Sequence, residues 1–144
     1  MKKCTFLLAA LFMLAFSACD KKEEYAYPAQ FGKIFATQDV IYPGDTVILQ
    51  VEVIDPGHRI YKGEYTWKND AGFKETVKTL AAGNDKTILA PPQVKWVPKR
   101  SGKYKFSMEA LFRYSMPDIN GQMVSGAAAK PATSTITVIP RPKE

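Results

Sequence analysis

Thr46-Val47-Ile48-Leu49-Gln50-Val51-Glu52-Val53-Ile54 is the stretch that decides the fold. Val47, Leu49, Val51 and Val53 alternate with Ile48, Gln50, Glu52 and Ile54, and a period of two places successive side chains on opposite faces of a strand. One of those faces is wholly apolar. Pro43-Gly44-Asp45 punctuates the start of the run and Asp55-Pro56-Gly57 its end, as turn residues do. A second alternation follows later. Tyr104, Phe106, Met108, Ala110 and Phe112 share one face, and Lys103, Lys105, Ser107, Glu109, Leu111 and Arg113 share the other.

Shorter β-type runs fill the space around these two. Gly63 to Lys68 reads as a strand with Tyr65 and Trp67 on one face, and Asn69-Asp70-Ala71-Gly72 as a hairpin loop leading to Phe73–Leu80. Gly83-Asn84-Asp85 marks a turn, Pro91-Pro92 breaks any strand, and Val94-Lys95-Trp96-Val97 is short and β-prone. Residues 115–132 hold Pro117, Asn120-Gly121, Gly126 and Pro131, so a loop or small hairpin excursion is expected there. Thr133 to Ile139 supplies a last strand, and residues 141–144 a tail. No stretch carries an amphipathic helical pattern. About seven short antiparallel strands at roughly 8–12-residue spacing predict an all-β sandwich spanning 31–140.

Composition agrees with one globular domain: 144 residues, 46% hydrophobic and 24% charged. Two cysteines and one histidine cannot supply the four Cys/His ligands of a structural zinc site, nor a disulfide framework. No cofactor is expected beyond a covalent lipid.

That lipid is predicted by the N-terminus. Lys2-Lys3 precede an apolar run from Thr5 to Phe16, which ends at the small residues Ser17 and Ala18. This is a secretory signal, too short for the ~20 residues that span a bilayer as a helix. Phe16-Ser17-Ala18-Cys19 resembles the lipobox of bacterial lipoproteins, although Phe16 stands where Leu is commonest. The resemblance implies cleavage after residue 18 and acyl chains, palmitate among them, on Cys19. Cleavage there removes two lysines, leaving 18 basic against 14 acidic residues, a net +4. Residues 19–30 are charged and without apolar periodicity, and are expected to be a flexible tether. Asp20 resembles an inner-membrane retention signal, whereas Lys21-Lys22-Glu23-Glu24 looks like the export signal of surface lipoproteins. The second is favoured, so an outer-membrane lipoprotein, displayed on the outer face, is expected.

The sandwich also carries a resemblance. Gly44-Asp45-Thr46, Trp67, and Lys95-Trp96-Val97-Pro98 leading into Ser101-Gly102-Lys103-Tyr104 look like the immunoglobulin-like domains of bacterial surface proteins, the PKD-like subgroup above all. The resemblance implies that Trp67 is the buried tryptophan of the third strand. It implies that Tyr104 forms a tyrosine corner, its hydroxyl bonded to backbone a few residues upstream. Phe106 would then stand where antibody domains carry their second disulfide cysteine, with Leu49 or Val51 facing it.

Chemistry is sparse. His58 lies in a turn-flanked loop. No nucleophile elbow or phosphate-binding glycine loop is present. Asp118-Ile119-Asn120-Gly121 lacks the full acidic spacing of a calcium loop and reads as a turn. Glu64 and Glu75 could face each other across a hairpin, as paired glycosidase carboxylates do, but exposed strand glutamates explain them more simply. The basic cluster Lys95, Lys99, Arg100, Lys103 and Lys105 reads as the solvated face of a strand pair that discourages edge pairing. Trp96 is expected in the core. Tyr42, Tyr61, Phe73 and Tyr114 lie near loop ends, where exposed aromatics anchor interfaces or stack on sugars.

These residues predict no enzyme and no nucleic-acid partner. They predict a membrane-anchored binding or assembly module of the cell envelope, whose partner is another envelope protein. The alternative is a glycan-binding accessory lipoprotein of a nutrient-uptake system. The connection Asp55–Lys62 presents an arginine with an aromatic, and 115–126 carries Met116, Ile119 and Met123, so Arg59, Tyr61, Met116 and Ile119 are the expected contact residues. In an immunoglobulin-like topology both connections lie at the same end.

Overall fold

The computed structural model describes residues 25–80, 93–121 and 124–144. The signal segment, Cys19, the turn at Gly83–Asp85, Pro91-Pro92 and Met123 lie outside the described residues.

Among the described residues seven strands form in chain order: β1 (Gln30–Ala36), β2 (Val47–Asp55), β3 (Ile60–Asn69), β4 (Lys74–Leu80), β5 (Gln93–Trp96), β6 (Gly102–Tyr114) and β7 (Val124–Val138). They make an antiparallel three-stranded sheet, β1-β2-β5, and a four-stranded sheet, β4-β3-β6-β7. The all-β sandwich expected from the alternations is present.

Both long alternations fill the core. Val47, Leu49 and Val51 of β2 are buried, facing Tyr65 and Trp67 of β3 and Phe106, Met108, Ala110 and Phe112 of β6. Val53 departs from the expectation; at the end of β2, opposite Phe31, it is exposed. Trp96 is buried as expected, in edge-on contact with Tyr104 and Phe106 at ring distances of 4.8 and 4.9 Å. The Trp67 indole N–H is buried without a hydrogen-bond partner. Burial pushes the Tyr65 hydroxyl up to about 12, because an ionised phenolate loses its hydration there.

Strand order is set by the first hairpin. The Asn69 side-chain oxygen accepts the backbone N–H groups of Ala71 and Phe73, both at 2.9 Å, and closes the turn. β4 is thereby held to β3, and not placed beside the β1-β2-β5 sheet as in antibody constant domains. Across the opposite side, the Ile34 N–H of β1 donates to Ser134 Oγ of β7 at 2.9 Å, so one serine joins the two sheets.

The segment 115–132 is not the expected loop excursion throughout. From Val124 it is strand, paired with β6. The register jumps from Met108↔Ala132 to Ala110↔Ala129, a bulge that takes up Pro131 on an edge strand where its missing N–H is not needed. The run Gly126-Ala127-Ala128-Ala129 has weak β propensity, so pairing with β6 decides its state. Tyr114, expected near a loop surface, is buried at the end of β6.

Candidate functional site

The strand directions sort the connections into two ends. One end gathers 25–29, 55–60 and 115–121. The other gathers 37–46, 69–73 and 97–101.

The first end holds the expected contact residues. Its centre is Arg59, whose backbone adopts a φ of 57°, rare for a residue with a Cβ. That conformation turns its carbonyl toward Ser115, which donates from its N–H at 2.8 Å and its hydroxyl at 3.2 Å. The two expected connections are thus hydrogen-bonded to each other. Asp55 shapes the approach by accepting the Gly57 N–H at 2.9 Å. Asp118 does the same beyond, accepting from Asn120 at 2.8 Å through its carboxylate and from Gly121 at 2.9 Å through its carbonyl, which makes 118–121 a turn.

The segment 25–29, expected to be flexible tether, is part of this end. The Ala26 N–H donates to the Pro117 carbonyl at 3.1 Å, and Tyr27 and His58 exchange backbone hydrogen bonds at 3.1 and 3.3 Å. The Tyr27 and His58 rings stack with centroids 5.7 Å apart. Ala26 and Ala29 are buried. The chain therefore straps across the end between the two loops. Gly57 permits this: at φ +77°, any Cβ would lie 2.8 Å from the Ala29 nitrogen and 2.9 Å from the Tyr27 oxygen. Large-small alternation in Tyr25-Ala26-Tyr27-Pro28-Ala29 was the signal in the sequence.

The four expected contact residues share this end but not one environment. Ile119 is exposed (78%), and Tyr61 is partly so (37%). Met116 packs against the core rim. Arg59 is half-buried, with its Nε enclosed and lacking a hydrogen-bond partner. Sequence reading missed Tyr25 and Tyr27, both exposed here.

At the opposite end a cleft of about 410 Å³ opens between the 69–73 hairpin and the 97–100 loop. Phe73, the largely buried Trp96 and Tyr104 line it together with Lys95, Lys99 and Arg100, and among the described residues no carboxylate does. Pro98 is buried beneath and accepts the Gly44 N–H at 2.8 Å. Tyr42 lies at the same end under the Arg141 guanidinium, 5.1 Å from ring to cation.

Other expectations are corrected. Glu64 and Glu75 do not meet: Glu64 lies opposite Lys78, and Glu75 lies opposite Trp67, on the other face of the sheet. The basic cluster is not one face of a strand pair. Lys95 belongs to the three-stranded sheet, Lys99 and Arg100 to the loop after it, and Lys103 and Lys105 to the four-stranded sheet. Among the described residues no group of three His, Cys, Asp or Glu side chains is placed to hold a metal ion.

No family model matches the chain, and no curated protein matches it. Among solved structures it is similar to the crystal structure of the CARDB domain of the PF1109 protein from Pyrococcus furiosus, in complex with di-metal ions. The TM-score is 0.51 at 16% identity, over 82% of this chain and 97% of that one. That likeness is one of fold, an immunoglobulin-like β-sandwich module, and belongs to a different group from the PKD-like one that the motifs resemble.

Proposed function

We propose that the chain is a lipid-anchored, non-catalytic binding module of the bacterial cell envelope, an outer-membrane lipoprotein carried on Cys19 and facing outward. One observation supports this most. The chain is strapped into the fold from Ala26, seven positions after the lipobox cysteine. An acylated Cys19 would therefore hold this end of the sandwich near the bilayer, with Tyr25, Tyr27, Tyr61 and Ile119 exposed around the strap. Such a set fits a protein partner in the same membrane, since exposed aromatics supply large contact area at little entropic cost. Arg59 and Met116 shape that surface from behind.

Changing Cys19 to Ala should abolish fatty-acid labelling and membrane fractionation; unchanged labelling refutes the anchor. Photo-crosslinkers at Tyr61 and at Ile119 on intact cells should capture the same envelope protein. Capture of unrelated proteins from the two positions refutes the contact surface.

A second reading rests on the distal cleft, whose rings and cations fit a glycan bearing carboxylates. Titration with an oligouronide should then show binding that Lys99→Ala weakens.

A further inference from the structure

Cross-strand register places seven cations on the outer face of the four-stranded sheet. Lys74 and Lys78 come from β4, Lys62 and Lys68 from β3, and Lys103, Lys105 and Arg113 from β6. On β3 and β6 they alternate with buried residues, and on the edge strand β4 with the partly buried Val77 and Thr79. Among the described residues two carboxylates share the face, Glu64 and Glu109. Glu109 lies 4.0 Å from Lys68, and Glu64 lies directly opposite Lys78.

The arrangement opposes stability. Lys62 lies directly opposite Arg113, and Lys68 directly opposite Lys74. Like charges in such positions destabilise a sheet. Solubility or edge protection would be met equally well by mixed signs. On the three-stranded sheet the outward charges among the described residues are few: Lys33, Lys95 and Glu52. Positive charge is thus concentrated on one flat side of the sandwich. A shallow groove of about 510 Å³ runs into that side between Lys68, Lys105, Ser107, Thr133 and Thr135. Asp70 stands at its rim, but its carboxylate accepts the Lys105 N–H at 3.1 Å.

We infer that this face docks on the anionic lipid phosphates of the leaflet that carries the anchor. The inference rests on the anchor reading above. Five residues separate Cys19 from Tyr25, and five residues reach about 20 Å at most. Lys62, Lys78 and Arg113 occupy the part of the face nearest the strapped end. Attraction between lysines and anionic lipid acts within a Debye length, about 8 Å at physiological salt, so a short tether is what brings it into play. The cations neutralise headgroup phosphates, and the hydroxyls of Ser107, Thr133 and Thr135 can donate to phosphate oxygens.

Amine footprinting of the lipidated protein tests this. The protein is reconstituted into phosphatidylcholine vesicles with and without phosphatidylglycerol, then treated with a water-soluble acylating reagent. In the anionic vesicles Lys68, Lys74, Lys78 and Lys105 should label several-fold more slowly than in the zwitterionic ones, while Lys33 and Lys95 keep their rates. High salt should erase the difference. The double variant Lys74→Glu, Lys78→Glu, on an exposed edge strand, should restore labelling of Lys68 and Lys105. Even labelling of both sheets in anionic vesicles overturns the inference. Equal protection in both vesicle types marks a contact between copies of the chain and also overturns it. A protein that floats with neither vesicle loses the anchor and this inference together. One that floats with both yet labels evenly loses only the inference.

Discussion

The Tyr104 hydroxyl donates a 2.7 Å hydrogen bond to the carbonyl of Arg100, four residues upstream. It ties the first turn of chain before β6 to the strand itself, and the same ring packs edge-on against Trp96. This is the tyrosine corner that the Ser101-Gly102-Lys103-Tyr104 motif implies. Tyr104→Phe keeps the ring and loses one hydrogen bond, so it should cost about 0.5–1.5 kcal/mol in urea unfolding. The exposed setting of the bond places the result toward the lower figure, because water can replace the hydroxyl.

Trp67→Ala should cost about 3–5 kcal/mol, the usual penalty for truncating a buried aromatic. Stability of small domains is about 5–15 kcal/mol, so the soluble yield should fall steeply. Trp67→Phe should cost clearly less, since it also removes the buried indole N–H that has no partner.

Gly57→Ala should release the strap. The new Cβ collides with backbone of both Tyr27 and Ala29, and the φ of +77° disfavours any side chain. Hydrogen exchange at the Ala26, Tyr27 and His58 amides should accelerate well beyond the core amides of β3 and β6. Exchange that rises equally everywhere would indicate global destabilisation.

Alkaline pH should destabilise the domain through Tyr65. Its hydroxyl titrates near 10 in the unfolded chain and about 12 in the fold. The raised value means that the unfolded state releases its proton first. Stability from this group is complete below pH 10 and is lost as pH rises toward 12, by about 2–3 kcal/mol at most. Tyr65→Phe should flatten that part of the stability profile, as followed by denaturant midpoints from pH 9 to 12.

The loop end is tested by Ile119→Ser with Tyr61→Ala. Both side chains are exposed, and surface changes are usually within about 0.5 kcal/mol, so thermal midpoints should stay near wild type while cross-linking to the partner falls. Met116→Ala, by contrast, should lower the midpoint, because that side chain packs on the core rim.

Local patterns in the sequence were enough for β2 to β6, for the second half of β7 and for the inside of the sandwich. A period of two over Val47–Val51 and Tyr104–Phe112 can bury only one face, so the core residues follow from alternation alone. Asn69 to Gly72 likewise declared its own hairpin, since an Asn oxygen closes such a turn within five residues. What required the tertiary structure were relations between residues far apart in the chain. The strap at Ala26–Ala29 exists because Gly57 and Pro117 come to the same end, and no window of sequence contains all three. The Gly126–Ala129 run becomes strand because β6 offers it a partner, against weak intrinsic preference. The basic side of the four-stranded sheet joins Lys62, Lys68, Lys74 and Lys78 to Lys103, Lys105 and Arg113, which sequence proximity had grouped differently. Periodicity tells a side chain which way to face; only register, fixed by hydrogen bonds across strands, tells it beside which neighbour.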